Sequence, residues 1–149
     1  MFDIKNILLT TDFSKISLAA AEHATALAEK YNAKIHLLYV LEKTPPILTI
    51  RSLDLSEEKI RKSIEEDADN RLKETVRKIK KNNIDIIPVI RKGIDYEEIN
   101  KYCKKNQIDL IVLASHGRTG ILHTLIGSVA EKVIRHSKTP VLVVSPPEG

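Results

Sequence analysis

The chain predicts an α/β fold: a doubly wound, five-stranded parallel sheet with helices on both faces. Strand-like and helix-like segments alternate along its whole length. The strand-like segments are apolar throughout, without the polar alternation of a half-exposed sheet. Such runs belong to parallel sheets covered on both faces, and right-handed crossovers leave few ways to connect them. In addition, three of the five glycines fall between Gly117 and Gly127, directly after the most apolar run, Ile108 to Ala114. In doubly wound sheets ligands sit beyond the strand C-termini, where the strand order reverses.

The elements follow in order. Ile7 to Thr10 reads as the first strand. Ser14 to Tyr31 reads as a helix, with Leu18, Ala21, Ala24 or Thr25, and Ala28 on one side at helical spacing. Asn32-Ala33 breaks the pattern, and Lys34 to Leu41 reads as the second strand. Residues 42–55, with Pro45-Pro46, read as a loop that could lie over a site as a flap. Ser56 to about Asn82 is a long amphipathic helix with the stripe Ile60, Ile64, Ala68, Leu72, Val76 and Ile79. Ile84 to Arg91 is the third strand; Pro88 inside it predicts a sheet edge, where a missing N–H is tolerated. Gly93 turns the chain into a helix, Tyr96 to Asn106, with Ile99, Tyr102 and Cys103 inward. Strand four is Ile108 to Ala114, a helix runs from Ser128 to His136, and Pro140 opens strand five, Val141 to Val144. Pro146-Pro147 ends the fold.

At 149 residues, with no repeat or linker, residues 1–149 read as one domain. The formal charge of +4 is small beside the many charges of both signs. The densest basic run, Arg77 to Lys81, has no interleaved aromatics to stack bases and reads as a solvated helix end, so no nucleic-acid partner is expected. Cys103 is the only cysteine, which excludes an internal disulfide and a cysteine metal cluster; it reads as a structural thiol. With no signal-like segment and no apolar run of about 18 residues, a cytoplasmic protein without membrane contact is expected.

Two strand ends carry the chemistry: Thr10-Thr11-Asp12 after strand one, and Ala114-Ser115-His116-Gly117 after strand four. Asp12 could accept hydrogen bonds from a ribose, help hold a metal ion, or simply cap the first helix. Ser128 to Glu131 fits an S-x-x-E capping box, while Gly127-Ser128 also fits a helix start whose free N–H groups hold phosphate. The glycine loop before it favours phosphate. His116 and His123 could carry protons, but neither has an evident carboxylate partner in sequence. A Walker phosphate loop, a dinucleotide fingerprint after strand one, a nucleophile elbow and H-E-x-x-H are all absent. A receiver domain would want an aspartate after strand three, where this chain has Arg91-Lys92-Gly93.

These residues resemble the universal stress protein family over essentially the whole chain. The likeness rests on Ile7-Leu8-Leu9-Thr10-Thr11-Asp12-Phe13-Ser14, on Ser115-His116-Gly117-Arg118-Thr119-Gly120, on Gly127-Ser128-Val129-Ala130-Glu131-Lys132-Val133-Ile134, and on Pro140-Val141-Leu142-Val143-Val144. The resemblance implies the strand order 3-2-1-4-5, a homodimer, and ATP binding with Mg²⁺ or Mn²⁺ in the subgroup carrying G-x2-G-x9-G-[ST]. Gly117, Gly127 and Ser128 match that pattern and would contact phosphates, with His116, Arg118 and Val129 beside them. Thr10 and Asp12 would lie near ribose and adenine, and Val40 would meet the adenine through its backbone. The pattern's first glycine falls on Ala114, whose methyl points into the ribose region or away from it. The implied order leaves strand five, Val141, Leu142, Val143 and Val144, as an apolar edge with no charge to block pairing, which suits a dimer joined there.

Three functions follow. The first is an ATP-binding stress-response regulator with at most slow hydrolysis, since no nucleophile, carboxylate pair or general base is visible. The second is a nucleotide-free homodimeric interaction module. The third, an adenylyl transferase, needs a histidine-rich activation motif, which is not found.

Overall fold

The computed structural model describes residues 2–42, 57–81, 83–116 and 126–145. Its elements are β1 (Asn6–Thr10), α1 (Lys15–Tyr31), β2 (Lys34–Leu41), α2 (Glu57–Ile79), β3 (Ile86–Lys92), α3 (Asp95–Lys105), β4 (Leu110–Ala114), α4 (Ser128–His136) and β5 (Val141–Val144). The strands form one parallel sheet in the order β3-β2-β1-β4-β5. The expected segment 43–55, with Pro45-Pro46, lies outside the described residues, as do Ser56, Asn82 and Pro146-Pro147.

Alternate strand residues feed two cores, which is why the strands read as unbroken apolar runs. Ile7, Leu9, Ile35, Leu37 and Val112 pack with Ala20, Ala24 and Leu72, under α1 and α2. Leu8, Leu38, Ile111 and Leu113 pack with Ile99 and Val133, under α3 and α4. The face of α1 differs from the expected stripe: Ser17, Ala20, Ala21, Ala24, Thr25 and Ala28 are buried, while Leu18 is only half-buried. Small side chains let the helix lie close on the sheet, which pushes the bulkier leucine to its margin. Ser14 is the N-cap, accepting from Ser17 N at 3.2 Å, and a left-handed Asn32 closes the other end.

Two strands begin later than their apolar runs. The β2–β3 ladder starts at the Ile35–Ile86 pair, so Ile84 is buried ahead of the ladder. The β1–β4 ladder starts at Ile7–Leu110, and before it Asp109 Oδ2 accepts from the backbone N–H of Lys5 at 2.8 Å and of Asn6 at 2.9 Å. A side chain thus satisfies donors that strand pairing would otherwise take.

The two edges differ. Asp85 accepts from Ile35 N, and Gly93 donates to Leu41 O, so odd-numbered β3 residues bond inward and even-numbered ones face outward. Pro88 therefore sits at an outward position and costs the ladder nothing. On β5, Pro140 and Val144 accept from β4-side amides, which turns the N–H groups of Val141 and Val143 outward. Val141, Leu142 and Val143 are half-buried.

Cys103 is buried, and burial pushes its thiol up to about 11 against the opposing hydrogen bond to Thr139, so it stays an inert thiol. The basic end of α2 is exposed, with Arg77 paired to Glu74. Among the described residues no helix is long and apolar enough to cross a membrane.

A buried polar chain ties α3 to the sheet. His36 Nε2 lies 3.0 Å from Asn6 Oδ1, and His36 Nδ1 lies 2.6 Å from the Tyr102 hydroxyl. The amide oxygen can only accept, so Nε2 carries the proton and Tyr102 donates to Nδ1. Burial, reinforced by the positive charge of Lys34, lowers the His36 pKa below its usual 6.5. The folded state thus holds the neutral ring, and its contribution to stability is present above pH 6.5 and lost as pH falls below it towards the lowered value. Melting curves between pH 7 and 5 should show this decline, and His36→Gln should flatten it; an unchanged slope in the variant would assign the decline to other groups.

Candidate functional site

The strand order reverses at β1 and β4. The chain leaves β1 for α1 on one face and reaches α4 on the other after β4. Among the described residues no crossover covers the C-terminal ends of these two strands, and a cleft of about 750 Å³ opens there. That is ample for a nucleotide-sized ligand. Its walls include Thr10, Asp12, Val40, Ala114, His116, Gly127, Ser128 and Val129, eight of the ten residues expected from the sequence. The other two, Gly117 and Arg118, lie outside the described residues, as does His123.

The β1–α1 loop forms one wall through a chain of short-range hydrogen bonds. Thr11 Oγ1 accepts from Phe13 N at 3.0 Å and lies 3.2 Å from Ser17 Oγ. Asp12 Oδ1 accepts from Ser14 N at 3.0 Å, an Asx turn leading into the helix. Asp12 is therefore not the helix cap; Ser14 takes that role, and Asp12 lines the cleft.

β2 supplies the second wall by outrunning β1. The last backbone bond on that side runs from Thr11 N to Leu38 O at 3.0 Å. Val40 is the next β2 residue whose amide and carbonyl face the β1 side, and β1 has ended at Thr10. Its N–H and C=O therefore point into the cleft as an adjacent donor and acceptor.

The third wall joins β4 to α4. Ala114 lines the cleft while its side chain packs against the core under α1, so the methyl that replaces a motif glycine is largely absorbed by that core. Ser115 and His116 are both buried, with Ser115 Oγ 2.9 Å from His116 Nδ1. Gly127 N donates to Ser115 O at 2.6 Å, and a Cβ on Gly127 would sit 2.8 Å from that same oxygen. Glycine is required here because α4 starts against the end of β4, closer than any side chain permits.

The capping-box reading of Ser128 fails. Gly127 is the N-cap and Ser128 is the first helical residue, so its hydroxyl is one position too late to cap. Glu131 points its carboxylate at Arg135 instead, 2.6 Å away. Among the described residues no side chain caps α4, and its first turn lines the cleft.

Sequence reasoning missed several wall residues: Leu38, Tyr39, Glu42, Asp95, Ile99 and Ile126. Glu42 directly follows β2 and Asp95 opens α3 just after β3, so their position past strand ends was a usable signal. Among the described residues no group of three or more His, Cys, Asp or Glu is arranged to hold a metal ion.

The model of the universal stress protein family matches residues 3–145. Universal stress protein MJ0531 of Methanocaldococcus jannaschii is 33% identical, over 97% of this chain and 84% of its own length. Universal stress protein MJ0577 of the same organism is 30% identical, over 94% of each chain. The solved structure of MJ0577 superposes with a TM-score of 0.82 at 31% identity, covering 97% of this chain and 98% of that one. A universal stress protein solved in complex with cAMP superposes with a TM-score of 0.66 at 25% identity, covering 94% and 96%. A family match across nearly the whole sequence, with the same fold, establishes that the chain belongs to the universal stress protein family.

Proposed function

We propose that this protein binds ATP in the cleft at the C-terminal ends of β1, β2 and β4 and acts as a cytoplasmic stress-response regulator, with hydrolysis slow at most. One observation carries the reading: α4 begins at the cleft with glycine at its N-cap, so its first-turn N–H groups face a cavity rather than a side chain of their own. Such a terminus attracts phosphate through both its free donors and its dipole. In this reading Gly127, Ser128 and Val129 hold the phosphates, with Gly117, Arg118 and His116 beside them. Thr10 and Asp12 meet the ribose side. The amide and carbonyl of Val40 match the adjacent acceptor and donor of an adenine edge. Support for an adenine nucleotide also comes from the related protein in complex with cAMP. Mg²⁺ or Mn²⁺ would arrive on the phosphates, since magnesium commonly binds through substrate phosphates with few protein ligands.

The same reading includes a homodimer paired along β5, Val141 to Val144. That edge is apolar and its outward N–H groups are intact, whereas Pro88 removes a donor from the opposite edge. Ala114 in place of a motif glycine favours a second reading, a nucleotide-free dimeric interaction module, although its packing against the core reduces the steric objection.

Melting titrations with ATP and Mg²⁺, alongside AMP and GTP, test the nucleotide. ATP should raise stability saturably, by about 2.7 kcal/mol at a hundredfold excess over Kd. GTP should do so far less; no shift with any of them, from protein free of copurified nucleotide, would favour the interaction module. Gly127→Ala should abolish the ATP shift and cost about 1–3 kcal/mol by overpacking against Ser115; unimpaired ATP binding in a folded variant would overturn the phosphate site. Val143→Pro removes only an outward N–H, so sedimentation should find a folded monomer; a dimer would place the contact elsewhere.

A further inference from the structure

Phe13 follows the cleft aspartate but does not itself line the cleft. Its φ is +68°, in the left-handed region. The other non-glycine residues with positive φ among those described are Asn32 and Gln107, within two residues of a helix end, and Asn83, in the turn before β3. Asparagine tolerates that conformation, while a bulky aromatic residue is a strained occupant. Strain of this kind persists only where surrounding contacts over-determine it, and it gathers at binding sites.

Those contacts can be named. Thr11 Oγ1 accepts from Phe13 N at 3.0 Å, on the N-terminal side of the turn. The Phe13 ring rests on Tyr39 of β2, with centroids 4.6 Å apart and planes tilted by 40°. Arg71 of α2 places Cζ over the ring at 6.0 Å from its centroid. The ring is thus anchored to a strand and a helix that are remote in sequence. The left-handed residue reverses the chain between Asp12, which lines the cleft, and Ser14, which caps α1.

We propose that Phe13 is a positioning residue: its ring, seated on Tyr39 with Arg71 over it, holds the β1–α1 loop in the left-handed turn that presents Asp12 to the nucleotide. The assignment rests on the nucleotide reading of the cleft. It explains why an aromatic residue occupies a conformation that glycine would adopt without strain. The ring supplies the anchorage, and the backbone turn supplies the aim.

Phe13→Ala and Phe13→Gly separate these roles. Both remove the ring, but only glycine enters the left-handed region freely. ATP affinity is measured by calorimetry in the presence of Mg²⁺, and melting temperature on the same samples. Phe13→Ala should bind ATP roughly tenfold more weakly, as the loop relaxes from a turn it no longer has reason to hold. Phe13→Gly should recover most of that loss and melt above the alanine variant. Full affinity in Phe13→Ala, or equal weakening in both variants, would overturn the positioning role while leaving the nucleotide reading intact. No ATP binding by the unmodified protein would overturn the proposed function and this assignment with it.

Discussion

The site depends on one topological constraint: β1 and β4 are neighbours, and the chain leaves them towards opposite faces of the sheet. Every crossover in such a sheet is right-handed, so the point where the order reverses cannot be roofed by either helix layer. The remaining features are consequences of lengths set at that point. β1 stops at Thr10 while β2 continues to Leu41, which leaves the backbone of Val40 without a strand on its β1 side. β4 stops at Ala114, and a 2.6 Å bond pins Gly127 to Ser115. That bond fixes where the first turn of α4 begins, and therefore where its backbone donors point.

Packing makes this arrangement rigid. The strands are buried on both sides, with Ile7, Leu8, Ile35, Leu37, Ile111 and Val112 essentially inaccessible to water. A residue at the end of such a strand inherits its position from a core that tolerates little displacement. The loops beyond then need only local hydrogen bonds, as in the Thr11, Ser14 and Ser17 cluster, to bring polar side chains to the rim.

Much of this was legible in the sequence, for specific reasons. Continuous apolar runs gave the strands, and Pro88 gave an edge, because proline cannot donate inward. The glycines after strand four marked the close approach of a helix to a strand end. Other features were hidden. Helical spacing could not tell Leu18 from Ser17 as the inward residue, since both stand one turn before Ala21 and closeness of packing decides between them. The letters S-x-x-E at Ser128 leave a cap and a phosphate site both open, because the cap position depends on where Gly127 meets the end of β4. The pairs His36–Tyr102 and Phe13–Tyr39 join residues from different elements, so no local pattern announces either one.

The unequal edges of the sheet also bear on how copies of the chain can assemble. A surface that pairs with its own copy closes after two chains, whereas one that pairs with a different surface goes on to a ring or, where the rotation does not close, a fibre. Head-to-tail growth here would require the bare edge of β5 to dock on β3, where Pro88 interrupts the row of donors. A single imino acid at an outward position thus takes one donor from the edge that such growth would need. It does so without weakening the fold, because the bond it gives up was never an internal one.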